Sequence, residues 1–78
     1  MPRRSTRSKE GQKFGETVRR LRKQAGLSQE ALAERANLSA DFLGFIERGE
    51  NVPTLTTILQ LAHALGVQPS KIIKDFDG

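Results

Sequence analysis

The sequence predicts an all-α domain, a compact five-helix bundle, preceded by a disordered basic tail. Three observations lead to this prediction. Apolar residues recur in several segments at the spacing of one helical face, capping residues precede most of these segments, and glycines follow most of them. No segment shows the alternation of apolar and polar residues that a half-buried strand requires.

The N-terminal segment, residues 1–12, contains no apolar residue after Met1 and is rich in Arg, Ser and Gly, so we expect it to be disordered. The folded domain is then expected over residues 13–77. Its first helix should run from about Phe14 to Ala25, before Gly26. One face of this helix carries Phe14, Val18, Leu21 and Ala25.

Two short helices joined by a tight turn are predicted next. Ser28 caps a helix over residues 29–36, and Ser39 caps a second that runs to about Arg48. Asn37 stands in the turn, where a positive φ is needed, and Asn tolerates that conformation. The residues expected to face the core are Leu32, Ala33, Ala36, Leu38, Leu43 and Ile46.

Two further helices complete the predicted domain. Thr54 caps a fourth helix that runs to about Leu65 and stops at Gly66, and Pro69 suits the first turn of a fifth. We expect the inward residues of the fourth helix to be Leu55, Ile58, Leu59, Ala62 and Leu65. The apolar side of the fifth carries Ile72, Ile73 and Phe76.

Composition excludes several classes of protein. The chain has no Cys and a single His, His63, so a metal site is not expected, and no cofactor is predicted. No apolar run approaches the roughly 18 residues of a membrane span. There is no phosphate-cradling Gly-rich loop, no nucleophile–base set and no pair of catalytic carboxylates, so an enzyme is not expected. We expect a cytoplasmic, nucleoid-associated protein.

Charge is distributed unevenly along the chain. Residues 1–26 carry nine basic and two acidic residues, whereas residues 27–78 carry four basic and seven acidic residues. A cationic N-terminal part beside a mildly anionic remainder indicates a polyanionic partner such as nucleic acid. The alternative is a solubilising tail.

The two short helices meet the physical demands of a helix-turn-helix unit, here residues 28–48. Such a unit needs a small residue where the helices cross, a turn residue at positive φ and apolar residues that fix the crossing angle. Ala33, Asn37 and the inward residues of the two helices supply these features.

Residues 14–76 resemble the Cro/phage-repressor helix-turn-helix family, also called XRE-type. The matching motifs are Leu21–Arg22, Gly26–Gln29, Leu32–Ala33, Leu38–Ser39, Ile46–Gly49, Pro53–Leu55 and Ala64–Val67. The resemblance implies a lambda-repressor-like fold. It also implies a sequence-specific transcriptional regulator, of repressor or controller type, that binds a near-palindromic double-stranded DNA operator as a homodimer.

The resemblance also implies which residues contact DNA. The third helix, residues 39–48, would enter the major groove. Ser28 and Gln29 would contact DNA at the start of the second helix, and Gln29 and Arg48 would contact phosphates. The residues placed toward the groove are Ser39, Ala40, Asp41, Gly44 and Phe45. Ala40 and Asp41 depart from the Gln that phage repressors often use here. Asp41 can accept a hydrogen bond from cytosine or only support the helix N-terminus.

Three further expectations concern structure and partners. The family pairs residues at the positions of Arg22 and Glu47, so we expect a structural salt bridge. The basic tail contacts DNA or stays a solvated end. The expected dimer interface includes Leu65, Val67, Ile72, Ile73 and Phe76.

A second function remains open at this stage. Antitoxins and coactivator-like proteins use the same fold as a protein-interaction module, and the acidic residues 27–78 leave room for that role. A protein partner would then be a polymerase or a toxin. No membrane partner is expected.

Overall fold

The computed structural model describes residues 9–50 and 53–73 and confirms the all-α class. It contains five helices: α1 (Lys9–Gln24), α2 (Gln29–Ala36), α3 (Ala40–Glu47), α4 (Leu55–Leu65) and α5 (Pro69–Ile73). Helix α1 packs against α3, α2 packs against α3 and α4, and α5 closes the bundle against α4 and α1. None of the helices in these two ranges is long and apolar enough to cross a membrane.

Local hydrogen bonds set the starts of three helices. The side-chain oxygens of Ser28, Ser39 and Thr54 accept hydrogen bonds from the backbone N–H groups three residues later, at 3.0, 3.0 and 3.3 Å. Each bond satisfies a donor that the first turn of a helix leaves without a partner. The predicted caps of α2, α3 and α4 are therefore confirmed.

The first helix begins earlier than the sequence predicts. Residues 9–12 were expected in the tail, but they form the first turn of α1. The reason is a tertiary contact: a Cβ placed on Gly49 would lie 2.9 Å from Gln12 Cα, so this turn packs closely on the end of α3. Residues 1–8 of the predicted tail lie outside the described residues.

The core is one cluster to which all five helices contribute. Its fully buried large side chains include Phe14 from α1, Leu32 from α2, Leu43 from α3 and Leu61 from α4. Ile72 of α5 is also fully buried. Leu38, in the turn between α2 and α3, packs against this cluster. Ala25, expected on the inner face of α1, is exposed beyond the helix end.

Helix α4 presents a different face to the core than the sequence predicts. Leu55 and Leu59 were expected inside, but they are 67% and 46% exposed, whereas Leu61 is completely buried. Apolar residues lie on more than one side of this helix, so periodicity alone does not select the buried side. Packing against α2 and α5 selects it, and the inward residues are Thr57, Ile58, Leu61 and Ala62.

Helices α1 and α3 cross with almost no space between their backbones. A Cβ placed on Gly15 would lie 2.7 Å from the backbone oxygen of Glu47, and still closer to that of Ile46. Only glycine fits at such an approach. This contact sets how near the end of α3 lies to α1.

Candidate nucleic-acid interface

Helices α2 and α3 are joined by a turn of three residues, 37–39. Asn37 adopts φ 63° and ψ 41°, the left-handed conformation expected of it. The backbone N–H of Leu38 donates to the oxygen of Ala33 at 2.8 Å, which closes the end of α2. Ala33 is 2% exposed at the helix crossing. The turn thus fixes the angle at which α3 leaves α2.

The first turn of α3 faces outward. Ser39 and Asp41 are exposed, Ala40 is half-buried, and Phe45, one turn further on, is 44% exposed. The Ser39 hydroxyl is used in capping, since it accepts from the Phe42 backbone N–H. The face that the sequence predicts for groove contact is therefore accessible.

Gly44 differs from this expectation, because it is buried rather than presented to a groove. The guanidinium of Arg48 covers it: a Cβ on Gly44 would lie 3.1 Å from Arg48 Nη1. The same Cβ would lie 4.0 Å from Gln29 Oε1. The absence of a side chain at position 44 gives the Arg48 side chain its place.

Arg48 is held by two neighbours. Its Nε and Nη2 donate to the Glu50 carboxylate at 3.2 and 3.4 Å, and its Cζ lies 5.1 Å from the centre of the Phe45 ring. Its side chain is 52% exposed. Arg48 can therefore meet a phosphate while it keeps a defined position.

At the C-terminal end of α3, opposite the exposed first turn, Arg22 and Glu47 form the ion pair expected from the sequence. Arg22 Nε and Nη2 donate to the two oxygens of Glu47 at 2.7 and 3.1 Å, and Nη1 donates to the Leu27 backbone oxygen at 2.9 Å. The two side chains are 10% and 3% exposed. The pair joins α1 to the end of α3, and Arg22 is largely committed to this structural task.

Gln29 extends this network to α2. Its Nε2 donates to Glu47 Oε1 at 3.0 Å. A primary amide has two N–H donors, so the second remains for another acceptor. Glu47 thereby accepts hydrogen bonds from both α1 and α2, and α3 is held against both helices.

The structure also brings to this region a residue that the sequence did not indicate. Arg19 of α1 is exposed and borders an open cleft of about 260 Å³. The other lining residues are Arg22, Gln29, Glu47 and Arg48. Its position off the core-facing stripe of α1 was the only signal in the sequence, and Arg20 and Lys23 share that signal.

The expected dimer residues have unequal positions. Ile72 is completely buried within one chain, so it closes the core and cannot line an interface between folded chains. Leu65, Val67 and Ile73 are partly buried and pack at the edge of the core. Phe76 lies outside the described residues.

Within residues 9–50 and 53–73 there is no group of His, Asp and Glu side chains that could hold a metal ion. The arrangement instead offers an exposed helical turn, capped and held from behind, with arginines on its flank. A capped pair of helices with this turn defines a helix-turn-helix DNA-binding domain.

Comparison with known proteins gives the family. A helix-turn-helix domain family model matches residues 13–72. The immunity repressor of Bacillus phage phi105 is 44% identical over 59 residues, which cover 76% of this chain and 41% of the repressor. The control protein C.BamHI of Bacillus amyloliquefaciens is 38% identical over 61 residues, covering 77% of this chain and 75% of that protein.

A solved structure agrees with both sequence matches. The restriction-modification controller protein C.AhdI of Aeromonas hydrophila superposes with a TM-score of 0.81 at 40% identity, covering 83% of this chain and 98% of that one. The chain belongs to the XRE-type helix-turn-helix family of DNA-binding transcriptional regulators. This family is not enzymatic.

Proposed function

We propose that the protein is a repressor or controller that binds a near-palindromic operator as a homodimer and reads each half-site with the first turns of α3. The observation that carries this proposal is the exposed turn at Ser39–Asp41, attached to a helix that Glu47 ties to α1 and α2. A helix that contacts base edges with its N-terminal residues must be accessible at that end and fixed in place at the other.

The side chains on this turn define the base contacts we expect. Ala40 and Phe45 can only make apolar contacts, for which the methyl group of thymine is the matching feature in the major groove. The Asp41 carboxylate can accept a hydrogen bond from cytosine N4. We infer a half-site that contains thymine, with a cytosine opposite Asp41.

Phosphate contacts are expected on the flanks of α3. Gln29 has one amide N–H left after its bond to Glu47, and the side chain of Arg48 is half-exposed. Such contacts fix the orientation of α3 on the duplex and add no base preference.

Dimerisation is supported by apolar side chains that the single chain leaves exposed. Leu55 and Leu59 lie one turn apart on α4 and are the most exposed leucines within the described ranges. An exposed apolar pair on so small a domain favours an interface, and we assign it to a second copy of the chain. Leu65, Val67 and Ile73 lie partly exposed on α4, α5 and the turn between them, and we include them in the proposed interface as the sequence predicts.

Two copies related by a two-fold axis would place their α3 helices about one DNA turn, roughly 34 Å, apart. Repression would then follow from covering a promoter, and activation from contact with a polymerase. The chain spans 41% of the length of the phage repressor it matches, so these roles are proposed for the helix-turn-helix domain alone.

In vitro selection of duplex DNA at a fixed salt concentration tests the proposal. We expect a selected sequence with two inverted half-sites whose centres lie about ten base pairs apart. Sequences without symmetry, or binding no stronger than to heparin, would contradict it. A stable complex with a protein partner and no selected DNA would favour the alternative protein-interaction function.

A further inference from the structure

The cleft between α1, α2 and α3 is a cationic site that the base-reading role of α3 does not explain. Three guanidinium groups and one carboxylate line it: those of Arg19, Arg22 and Arg48, and that of Glu47. Glu47 is occupied, since its oxygens accept from Arg22 and Gln29. Arg22 thus neutralises the Glu47 carboxylate, and the positive charges of Arg19 and Arg48 remain at the cleft.

Those two cations differ from Arg22 in how they are paired. Among residues 9–50 and 53–73, Arg19 has no ion-pair partner, and it is exposed on α1. Arg48 gives Nε and Nη2 to Glu50, which leaves Nη1 on the side of Gly44 and Gln29. Both arginines therefore have donors available at the same cleft.

We propose that Arg19 and Arg48 together hold one backbone phosphate of the bound duplex in this cleft. The remaining amide N–H of Gln29 completes the set of donors. The inference rests on the proposed function, because the phosphate belongs to the DNA that α3 reads. It adds α1 to the DNA-binding surface and makes Arg19 a residue that positions the duplex.

A phosphate is the ligand that this chemistry fits. Guanidinium groups bind phosphate oxygens through parallel charge-assisted hydrogen bonds, and two of them can share the oxygens of one phosphate. The cleft is open to solvent at the C-terminal end of α3, where Glu47 and Arg48 lie, so a continuous DNA strand can pass over it.

The test compares four variants with the parent chain: Arg19→Gln, Arg48→Gln, the double variant and Arg20→Gln as the matched control. Arg20 is the next residue on α1, carries the same charge and is exposed, but it does not line the cleft. Affinity for the duplex obtained by selection is measured by fluorescence anisotropy over a series of salt concentrations. Thermal unfolding verifies that all chains are equally folded.

We expect Arg19→Gln to weaken binding by about tenfold per protomer, and Arg20→Gln to weaken it by less than about twofold. The double variant should lose less than the product of the single losses, because both arginines serve one phosphate. Its salt slope should fall by about one unit per protomer relative to the parent chain.

Equal effects of Arg19→Gln and Arg20→Gln would overturn the inference, since both would then act only through overall charge. A double variant whose salt slope falls by about two units per protomer would overturn the shared phosphate. These outcomes leave selective binding by the parent chain intact. Failure of the proposed function differs, because the parent chain itself would then show no preference for a selected duplex.

Discussion

Arg22 and Glu47, 25 residues apart in sequence, form a two-point ion pair that is almost completely buried between α1 and α3. Glu47 is the last residue of α3 and also accepts from Gln29 of α2. A single carboxylate thus connects all three helices that surround the candidate phosphate cleft. Its role is to hold the recognition helix in place.

Removal of this carboxylate should destabilise the domain strongly. Glu47→Gln leaves the Arg22 guanidinium buried without its counter-charge, and we expect the free energy of unfolding to fall by about 3 kcal/mol or more. Urea unfolding followed by circular dichroism measures the change. A double variant, Arg22→Met with Glu47→Leu, should lose much less stability than its two single variants together, because no buried charge is left without a partner. If the losses of the two single variants simply add up to that of the double variant, the direct pairing is contradicted.

Gly15→Ala should destabilise the domain, although alanine favours helices. The new Cβ would meet the backbone oxygens of Ile46 and Glu47, and backbone cannot move aside as a side chain can. We expect a loss of about 2 kcal/mol, of the size that overpacking causes, in thermal or urea unfolding. An unchanged stability would mean that α1 and α3 are not in such close contact.

Gly44→Ala should have the opposite effect on stability and a separate effect on binding. The one close contact of its Cβ would be Nη1 of Arg48, at 3.1 Å, which is the far end of a half-exposed, flexible side chain, so the free energy of unfolding should rise by about 0.5 to 1 kcal/mol. Displacement of Arg48 from the cleft should weaken duplex binding by several fold. A variant that is more stable and binds equally well would show that the place of Arg48 over Gly44 is irrelevant to DNA.

Leu59→Lys should dissociate the proposed homodimer without unfolding the chain. The side chain is 46% exposed in the single chain, so the fold tolerates a charge there, whereas a two-fold interface would bring two lysines together. We expect the dimer dissociation constant, measured by sedimentation, to rise roughly a hundredfold.

The control for this variant is Thr56→Lys, an exposed residue of the same helix. It should leave self-association within about twofold of the parent chain if Thr56 lies outside the interface. An equal response of both variants would place the interface elsewhere. A parent chain that stays monomeric at high concentration would show that there is no homodimer interface.

Local chemistry explains why most helix boundaries could be predicted. Ser28, Ser39 and Thr54 cap the helices that the sequence assigned to them, and Asn37 adopts the left-handed conformation that a tight turn needs. These features depend on neighbours within a few residues. The motif resemblance also located the Arg22–Glu47 pair, which no local rule could have found.

The errors lie where distant parts of the chain decide the outcome. The start of α1 depends on contact between Gln12 and Gly49, and the inward face of α4 depends on which neighbours cover it. The position of Arg19 at the cleft depends on how closely α1 and α3 cross, and the sequence pattern contains no information on that distance. Gly44 was assigned to the groove because the path of Arg48 was not visible in the sequence.

Helix α3 is attached to α1 and α2 at its C-terminal end, so the residues at its N-terminal end can be substituted independently of those that hold the helix. Glu47 and the core residues of α3 hold the helix in place, whereas Asp41 and Phe45 are exposed and lie outside the buried core. Substitutions at those two positions can therefore accumulate at little cost in folding. Related regulators in one cell could diverge in target by this route, and a randomised library at the two positions is a practical starting point for new specificities.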